Sequence, residues 1–266
     1  MIADALSRLR IRAIARRHAY VLVRSPHRLF DVTIWPLVDV LLFGSLAVFV
    51  GSEGGGEVAF GYLLSGIVLW HVVYQSQIAL STGFMEETWS RNLLNLMVTP
   101  LHEAEYVAGV ALFGLVKLVL GVVVVALTAL GFYAFDITDL GLGLVPIAAI
   151  LLAVGWVIAL FVIGLVLRWG SGAEALAWGV LFGIMPLSGT FYPVEALPTI
   201  IRPLSLMLPT THAFTATRGL VDGRGVLWGE LGIAAAGAVV LTIAALVWLT
   251  YMLRIFRARG YISRYS

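Results

Sequence analysis

The chain has 266 residues, of which 61% are hydrophobic and only 12% are charged. Soluble domains carry about 25% charged residues, so this composition excludes an ordinary soluble globular enzyme. The mean hydropathy of +0.99 indicates that lipid is the solvent for most of the chain. The sequence has no cysteine, which excludes disulfides, thiolate catalysis and cysteine-ligated zinc.

The N-terminal segment, residues 1–29, contains seven arginines and no apolar stretch typical of a signal peptide. We predict an amphipathic helix lying in the membrane interface, with its arginines reaching lipid phosphates. The alternative is a set of charges that only orients the chain. The predicted apolar face comprises Ile2, Leu6, Leu9, Ala13 and Tyr20, and the predicted lipid-interface residues are Arg8, Arg12, Arg16 and Arg17.

Long stretches without charged residues predict the membrane-spanning segments. The stretch between Glu57 and Glu86, for example, contains no Asp, Glu, Lys or Arg, and a spanning helix needs about 20 apolar residues. The pattern predicts an all-α membrane protein with six spans, near 30–50, 58–81, 106–134, 141–167, 174–192 and 230–253. Most of the 17 basic residues fall at the two ends of the chain, including the basic tail at 254–266. The positive-inside rule therefore predicts that both termini are cytoplasmic.

Two charged residues, Asp39 and Lys117, fall inside predicted spans. Each costs roughly 2.5–3.5 kcal/mol in hydrocarbon on insertion scales. They either pair, with each other or across a dimer interface, or Lys117 extends to the nearby cytoplasmic surface. The polar residues His71, Gln75 and Gln77 in the second span either line a polar cavity or hydrogen-bond between helices.

The inner loop between the second and third spans predicts an amphipathic helix near 86–98, which Pro100 ends. Its apolar side chains would be unusual in a free cytoplasmic loop. The helix therefore packs back on the protein or docks a partner. The residues that we expect to carry this contact are Glu86, Glu87, Arg91, Leu93, Leu94 and Met97.

The outer segment between the fifth and sixth spans, near 193–220, is apolar, but four prolines divide it into pieces too short to span a membrane. Non-helical backbone survives at membrane depth only when it is buried in protein or lines a wet cavity. We predict short re-entrant helices that close the outer end of a pathway. An apolar external lid without a transport role is the alternative. The candidate gate residues are Ser188, Gly189, Phe191, Tyr192, Pro193, Pro198 and Pro209.

These features together resemble the ABC-2 type permeases, the membrane subunits of type V ABC exporters. Members carry O-antigen, capsule, teichoic acid, Nod factors or drugs. The resemblance covers nearly the whole chain and is most specific from Leu187 to Leu220, which includes Pro209-Thr-Thr-His212 and Arg218-Gly219. It implies two permease copies, or two related permeases, and two cytosolic ATPase subunits that hold ATP and Mg; of the two arrangements we expect the homodimer. It also implies that the helix at 86–98 couples to the ATPase.

The chain contains no phosphate-binding P-loop sequence, and its one lysine, Lys117, lies in an apolar run. We therefore expect a subunit without its own ATPase site, a cofactor or a metal, which binds no nucleic acid. The expected location is the plasma (inner) membrane, and the expected cargo is a glycan, a lipid-linked compound or an amphipathic drug. Phe191 and Tyr192 are candidates for stacking on a sugar. The alternatives are an ion-coupled transporter and, on the basis of Ser188, an intramembrane enzyme.

Overall fold

The structure is a computed structural model, and it describes residues 7–89 and 99–258. All regular elements within these residues are helical, which confirms the predicted all-α membrane fold. The α-helices are α1 (Arg8–Val23), α2 (Pro26–Val50), α3 (Gly56–Trp89), α4 (Glu103–Tyr133), α5 (Leu144–Trp169), α6 (Glu174–Leu187), α7 (Arg202–Leu206), α8 (Pro209–Val221) and α9 (Trp228–Ala258).

Five helical segments are long and apolar enough to cross a membrane. They are Arg28–Gly54, Gly56–Met85, Ala108–Tyr133, Leu144–Trp169 and Trp228–Phe256. The shortest have 26 residues, or about 39 Å at 1.5 Å per residue, and therefore exceed a hydrocarbon core of about 30 Å. These segments confirm five of the six predicted spans to within a few residues. The chain is thus a multi-pass membrane protein.

The fifth predicted span, 174–192, is shorter than the sequence suggested. Helix α6 has 14 residues, or about 21 Å, which is less than the thickness of the hydrocarbon core. The helix stops just before Gly189, which adopts a left-handed conformation with φ +59°, and the Ser188 hydroxyl at its end bonds back to the carbonyl of Ile184 (2.8 Å). The apolar composition of the segment hid this early end.

Helix α3 lies at the centre of the fold, where it packs against α2, α4 and α5. Its crossing with α5 is very close: a Cβ placed on Gly155 would lie 1.8 Å from Ser76 Oγ and 2.6 Å from the carbonyl oxygen of Val73. Helices α2, α4 and α9 instead bury few of their apolar side chains and leave many of the large ones exposed. The molecule therefore has a central helix surrounded by helices with outward-facing apolar surfaces.

Helix α1 packs against α4 through buried Ile14, His18 and Leu22. The stripe has a spacing of four residues, and the His18 ring stacks on Phe113 with centroids 5.7 Å apart. The apolar face predicted from the sequence is a different one. Its described members are not buried against protein: Leu9 and Tyr20 are 79% and 51% exposed. That face is available to lipid, whereas the buried stripe fixes α1 to the spanning helices.

Candidate functional site

The outer segment descends between the spanning helices before it returns as α8. Pro209, the first residue of α8, packs against Gly237 of α9, where an added Cβ would lie 2.9 Å from the proline Cγ. Gly237 comes nine residues after Trp228, the first residue of α9, and so lies about 13 Å along the helix. The start of α8 therefore lies well below the outer end of α9.

Hydroxyl groups satisfy the backbone at the lowest part of this segment. Ser205 Oγ donates to the carbonyl of Leu187 (2.5 Å), and Thr211 Oγ1 donates to the carbonyl of Ser205 (2.6 Å). Ser188 Oγ lies 2.6 Å from Thr210 Oγ1. All four hydroxyl-bearing residues are buried. This arrangement allows irregular backbone to persist at membrane depth, because unsatisfied polar groups there are costly.

Arg218 of α8 holds the turn that follows α6. Its Nη1 donates to the carbonyls of Gly189 (2.5 Å) and Tyr192 (3.3 Å), and its Nη2 donates to Thr215 Oγ1 (2.8 Å). The guanidinium group can make these bonds together because its donors are fixed in one plane. Gly189 itself is needed here, since a Cβ would lie 2.9 Å from the Tyr192 carbonyl in addition to the strained φ.

The predicted gate aromatics are placed by two close contacts. Phe191 stacks on Phe43 of α2 with ring centroids 4.2 Å apart, and Tyr192 donates its hydroxyl proton to the carbonyl of Pro186 (2.8 Å). A Cβ on Gly66 of α3 would lie 2.4 Å from the Thr190 carbonyl, so α3 also touches this turn closely. The turn therefore connects α2, α3 and α6.

A polar cavity of about 300 Å³ lies beside the outer segment. His212 crosses one wall: its Nε2 donates to the Leu206 carbonyl (2.9 Å) and its Nδ1 lies 2.7 Å from Glu230 Oε2. The lining residues are Tyr62, Pro193, Val194, Glu195, Leu206, His212, Thr215, Arg218, Arg224 and Glu230.

Asp222 anchors the loop next to this cavity. The Tyr62 hydroxyl donates to Asp222 Oδ1 (2.7 Å), and Arg224 pairs with Oδ2 at 2.5 Å. Burial alone would raise the pKa of Asp222, but the hydrogen bonds from Tyr62 and Arg224 outweigh it and hold the pKa below its ordinary value of 3.8. Asp222 therefore remains a carboxylate at neutral pH.

The inner corner between residues 100 and 105 joins α1 to α4. Glu105, which is fully buried, accepts hydrogen bonds from the backbone N–H of Ser7 (2.7 Å) and His102 (3.1 Å) and from Arg10 Nε (3.1 Å). Arg10 also donates to the Pro100 carbonyl (2.8 Å). The corner therefore ties the start of α1 to the start of α4.

Loss of the Glu105 charge is expected to release α1. Burial alone would raise the pKa of Glu105, but the bonds from Ser7, His102 and Arg10 hold it below its ordinary value of 4.5. A lowered folded pKa means that the contact is complete above pH 4.5 and is lost as the pH falls further. In Glu105→Gln we expect the amide hydrogens of α1 to exchange several-fold faster than in the wild type at pH 7. In the wild type we expect this faster exchange only below pH 4.5.

Hydrogen exchange followed by mass spectrometry and corrected for the intrinsic effect of pH would measure this. Glu57→Gln, at the start of α3 and away from the inner corner, is the matched control and should leave the hydrogen exchange of α1 unchanged. Equal exchange in Glu105→Gln and Glu57→Gln would show that Glu105 does not hold α1.

The two charged residues predicted inside spans occupy different environments. Asp39 Oδ2 lies 3.5 Å from Nε2 of His71, a contact between α2 and α3. Lys117 instead lines a small cavity of about 20 Å³ that also includes His18 of α1 and Arg28 of α2. His71 therefore faces Asp39 across the two helices, while its Nδ1 bonds to the Ile67 carbonyl of its own helix. Lys117 thus shares this cavity with the basic residue Arg28.

The structure describes only some of the remaining predicted residues. Arg91, Leu93, Leu94 and Met97 lie outside the described residues; Glu86 and Glu87 belong to the last turns of α3. On α1, Arg8, Arg12 and Arg16 are exposed, and Arg16 lies over the Tyr20 ring, 5.4 Å from its centroid. Pro193 and Pro198 flank the short turn Val194–Ala196.

Several residues with central contacts were not singled out from the sequence. Arg10 and Glu105 were missed, although Glu105 follows His102 by three residues, the spacing of a capping box. Arg218 was quoted only for the resemblance. His212 was likewise quoted only for the resemblance, and its pairing with Glu230 gave no signal, because the two residues are 18 apart and meet only through the return of α8.

The Ser188 environment gives no support to a nucleophile. Its hydroxyl is buried and contacts the Ile184 carbonyl and Thr210 Oγ1. Neither partner is a base that could remove the hydroxyl proton. These contacts are those of a hydroxyl that satisfies the backbone at the end of α6.

Comparison with known proteins identifies the family. The family described as ABC-2 type transporter matches residues 10–221, a range that extends from α1 through α8 and includes both the inner corner and the outer segment. A direct comparison with curated proteins gave no match. Because the family match covers most of the chain, the chain belongs to the ABC-2 type transporter family.

Proposed function

We propose that this chain is the permease subunit of an exporter whose energy comes from ATP hydrolysed on a separate cytosolic ATPase. Two copies of the permease would form the pathway, with two ATPase subunits below them. The cargo would be a glycan, a lipid-linked compound or an amphipathic drug-like molecule. The observation that carries the proposal is the family match over residues 10–221.

The arrangement at the two ends of the helices supports this function. At the inner end, Arg10 and Glu105 connect α1, α4 and the corner that follows residues 90–98. At the other end, the outer segment returns at membrane depth and connects to α2, α3 and α9. Force applied at 86–98 would therefore reach α1 and α4 first, and helix movements would then shift the outer segment through its packed turn.

An ion-coupled transporter is the second candidate, and one contact favours it. Asp39 and His71 face each other across α2 and α3, and ionisable pairs inside membranes commonly carry protons or ions. The two candidates differ in their energy source, which an experiment can separate.

The test of the proposal is charge reversal at the predicted coupling helix. The tagged chain would be purified from its native membrane with the double substitution Glu86→Lys and Glu87→Lys. We expect the wild type to retain an ATPase with a P-loop and the variant to lose it, because opposite charges at an interface fix register and partner choice. Glu53→Lys with Glu57→Lys is the matched control at the other end of α3 and should retain the ATPase.

A second arm measures transport by the purified chain alone in vesicles with a proton or sodium gradient. The proposal predicts no uptake of fluorescent lipid or oligosaccharide cargo against its gradient. Gradient-driven accumulation by the lone chain, abolished by Asp39→Asn, would contradict the proposal and establish the ion-coupled alternative.

A further inference from the structure

The cavity beside the outer segment has an unusual balance of charge. Two of its basic side chains have carboxylate partners: Arg224 pairs with Asp222 at 2.5 Å, and His212 lies 2.7 Å from Glu230. When these pairs are set aside, one cation and one anion remain, Arg218 and Glu195. No ion pair within 4 Å involves either of them among the residues that the structure describes.

Of these two charged residues, Arg218 has the more unusual environment. Its side chain is only 7% exposed, yet its partners are the carbonyls of Gly189 and Tyr192 and the Thr215 hydroxyl. Buried charges in proteins are normally paired with an opposite charge. Carboxylates beyond ion-pair distance, including Glu195 in the lining of the same cavity, partly compensate the charge of Arg218.

Glu195 provides the opposite charge at the exposed edge of the same cavity. Its carboxylate makes no hydrogen bond to any described residue, and its backbone carbonyl accepts a bond from Arg202 that fixes the turn. A ligand with one anionic and one cationic group would therefore find a matching charge for each.

The position of the cavity indicates the source of such a ligand. Tyr62 lies in the second turn of α3, and Glu230 lies in the first turn of α9. Trp228, which starts α9, is 71% exposed, and tryptophan at the end of a spanning helix is typical of the headgroup level. The cavity thus lies where lipid headgroups are concentrated, and its volume is near the lower limit for small-ligand pockets.

We propose that this cavity binds the phosphoethanolamine headgroup of a membrane phospholipid. The phosphate accepts hydrogen bonds from Arg218, whose planar donors suit phosphate oxygens, and the ammonium group lies near Glu195. Headgroup binding does not depend on the transport function proposed above. Its assignment to the outer leaflet rests on the prediction that both termini are cytoplasmic.

The test compares lipid retention in wild type and Glu195→Gln. The chain is purified in detergent, mixed with equal amounts of phosphatidylethanolamine and phosphatidylglycerol, and examined by native mass spectrometry. An exposed charge pair contributes about 0.2–1 kcal/mol. We therefore expect the wild type to retain phosphatidylethanolamine roughly threefold better, and this ratio to fall to about one in Glu195→Gln.

Glu53→Gln removes a carboxylate at the same end of the molecule but outside the cavity, and should keep the wild-type ratio. Equal retention of both lipids by the wild type, or an unchanged ratio in Glu195→Gln, would overturn the proposal. Soluble phosphoethanolamine and inorganic phosphate form a further arm with lipid-depleted protein. Binding of the soluble zwitterion without any preference among lipids would assign the site to a water-soluble ligand instead and overturn the lipid assignment.

Discussion

Gly155→Ala is expected to destabilise the protein more than any other single methyl addition among the crossings described above. The new Cβ would lie 1.8 Å from Ser76 Oγ and 2.6 Å from the Val73 carbonyl oxygen. Ser76 cannot turn away at low cost, because its hydroxyl donates to the carbonyls of Val72 and Val73. The backbone of α3 would also have to move away from α5. Overpacking of this kind costs about 1–3 kcal/mol, occasionally more, and we expect the upper end.

The measurement is the midpoint of thermal unfolding in detergent, followed by the loss of the monodisperse peak in size-exclusion chromatography. Gly179→Ala is the matched control, because nothing lies within 4 Å of a Cβ at that position and alanine is favoured over glycine in a helix by about 1 kcal/mol. We expect its midpoint to equal or exceed that of the wild type. A Gly155→Ala midpoint as high as that of Gly179→Ala would mean that α3 and α5 do not cross this closely.

Arg218→Gln is expected to open the turn at the outer end of α6 while leaving the spanning helices inserted. The substitution removes donors to the carbonyls of Gly189 and Tyr192. Hydrogen bonds from charged groups contribute about 1.5–3 kcal/mol each, so the open turn should become at least about tenfold more populated. The turn would then lose its defined conformation.

The absence of cysteine from the chain makes this opening easy to measure. Thr190→Cys places one thiol at a residue that is only 3% exposed, and a membrane-impermeant maleimide added outside the cell would report its exposure. We expect fast labelling with Arg218→Gln and slow labelling with Arg224→Gln. The Arg224 guanidinium is 56% exposed, and such surface ion pairs contribute about 0–1 kcal/mol. Equal, slow labelling in both variants would show that Arg218 is not needed to hold the turn.

The spanning segments could be predicted because their signal is local. Each stretch without charges partitions into lipid through its own composition, so the positions of α2, α3, α4, α5 and α9 followed from the sequence to within a few residues. The fifth span was predicted too long for the same reason: residues 188–192 are mostly uncharged. Composition does not reveal that the helix stops before Gly189, because that depends on a backbone angle.

The candidate sites could be located from the sequence, but their bonding partners could not. The four prolines indicated irregular backbone between α6 and α9, and the structure has two short helices there. Arg218, however, was quoted only as part of the family resemblance. Its importance comes from Gly189 and Tyr192, which are 29 and 26 residues away. The sequence pattern around Arg218 contains no information about either partner.

The sequence alone determined that this chain crosses a membrane several times and, through the order of its motifs, to which family it belongs. Both conclusions depend on properties that each segment carries by itself, such as hydrophobicity, charge and proline spacing. Only the tertiary structure decided that Glu105 holds Ser7 and Arg10, which precede it by 98 and 95 residues, and that Asp39 faces His71. These contacts are set by how the helices pack, and packing brings together residues whose separation along the chain has no regular pattern.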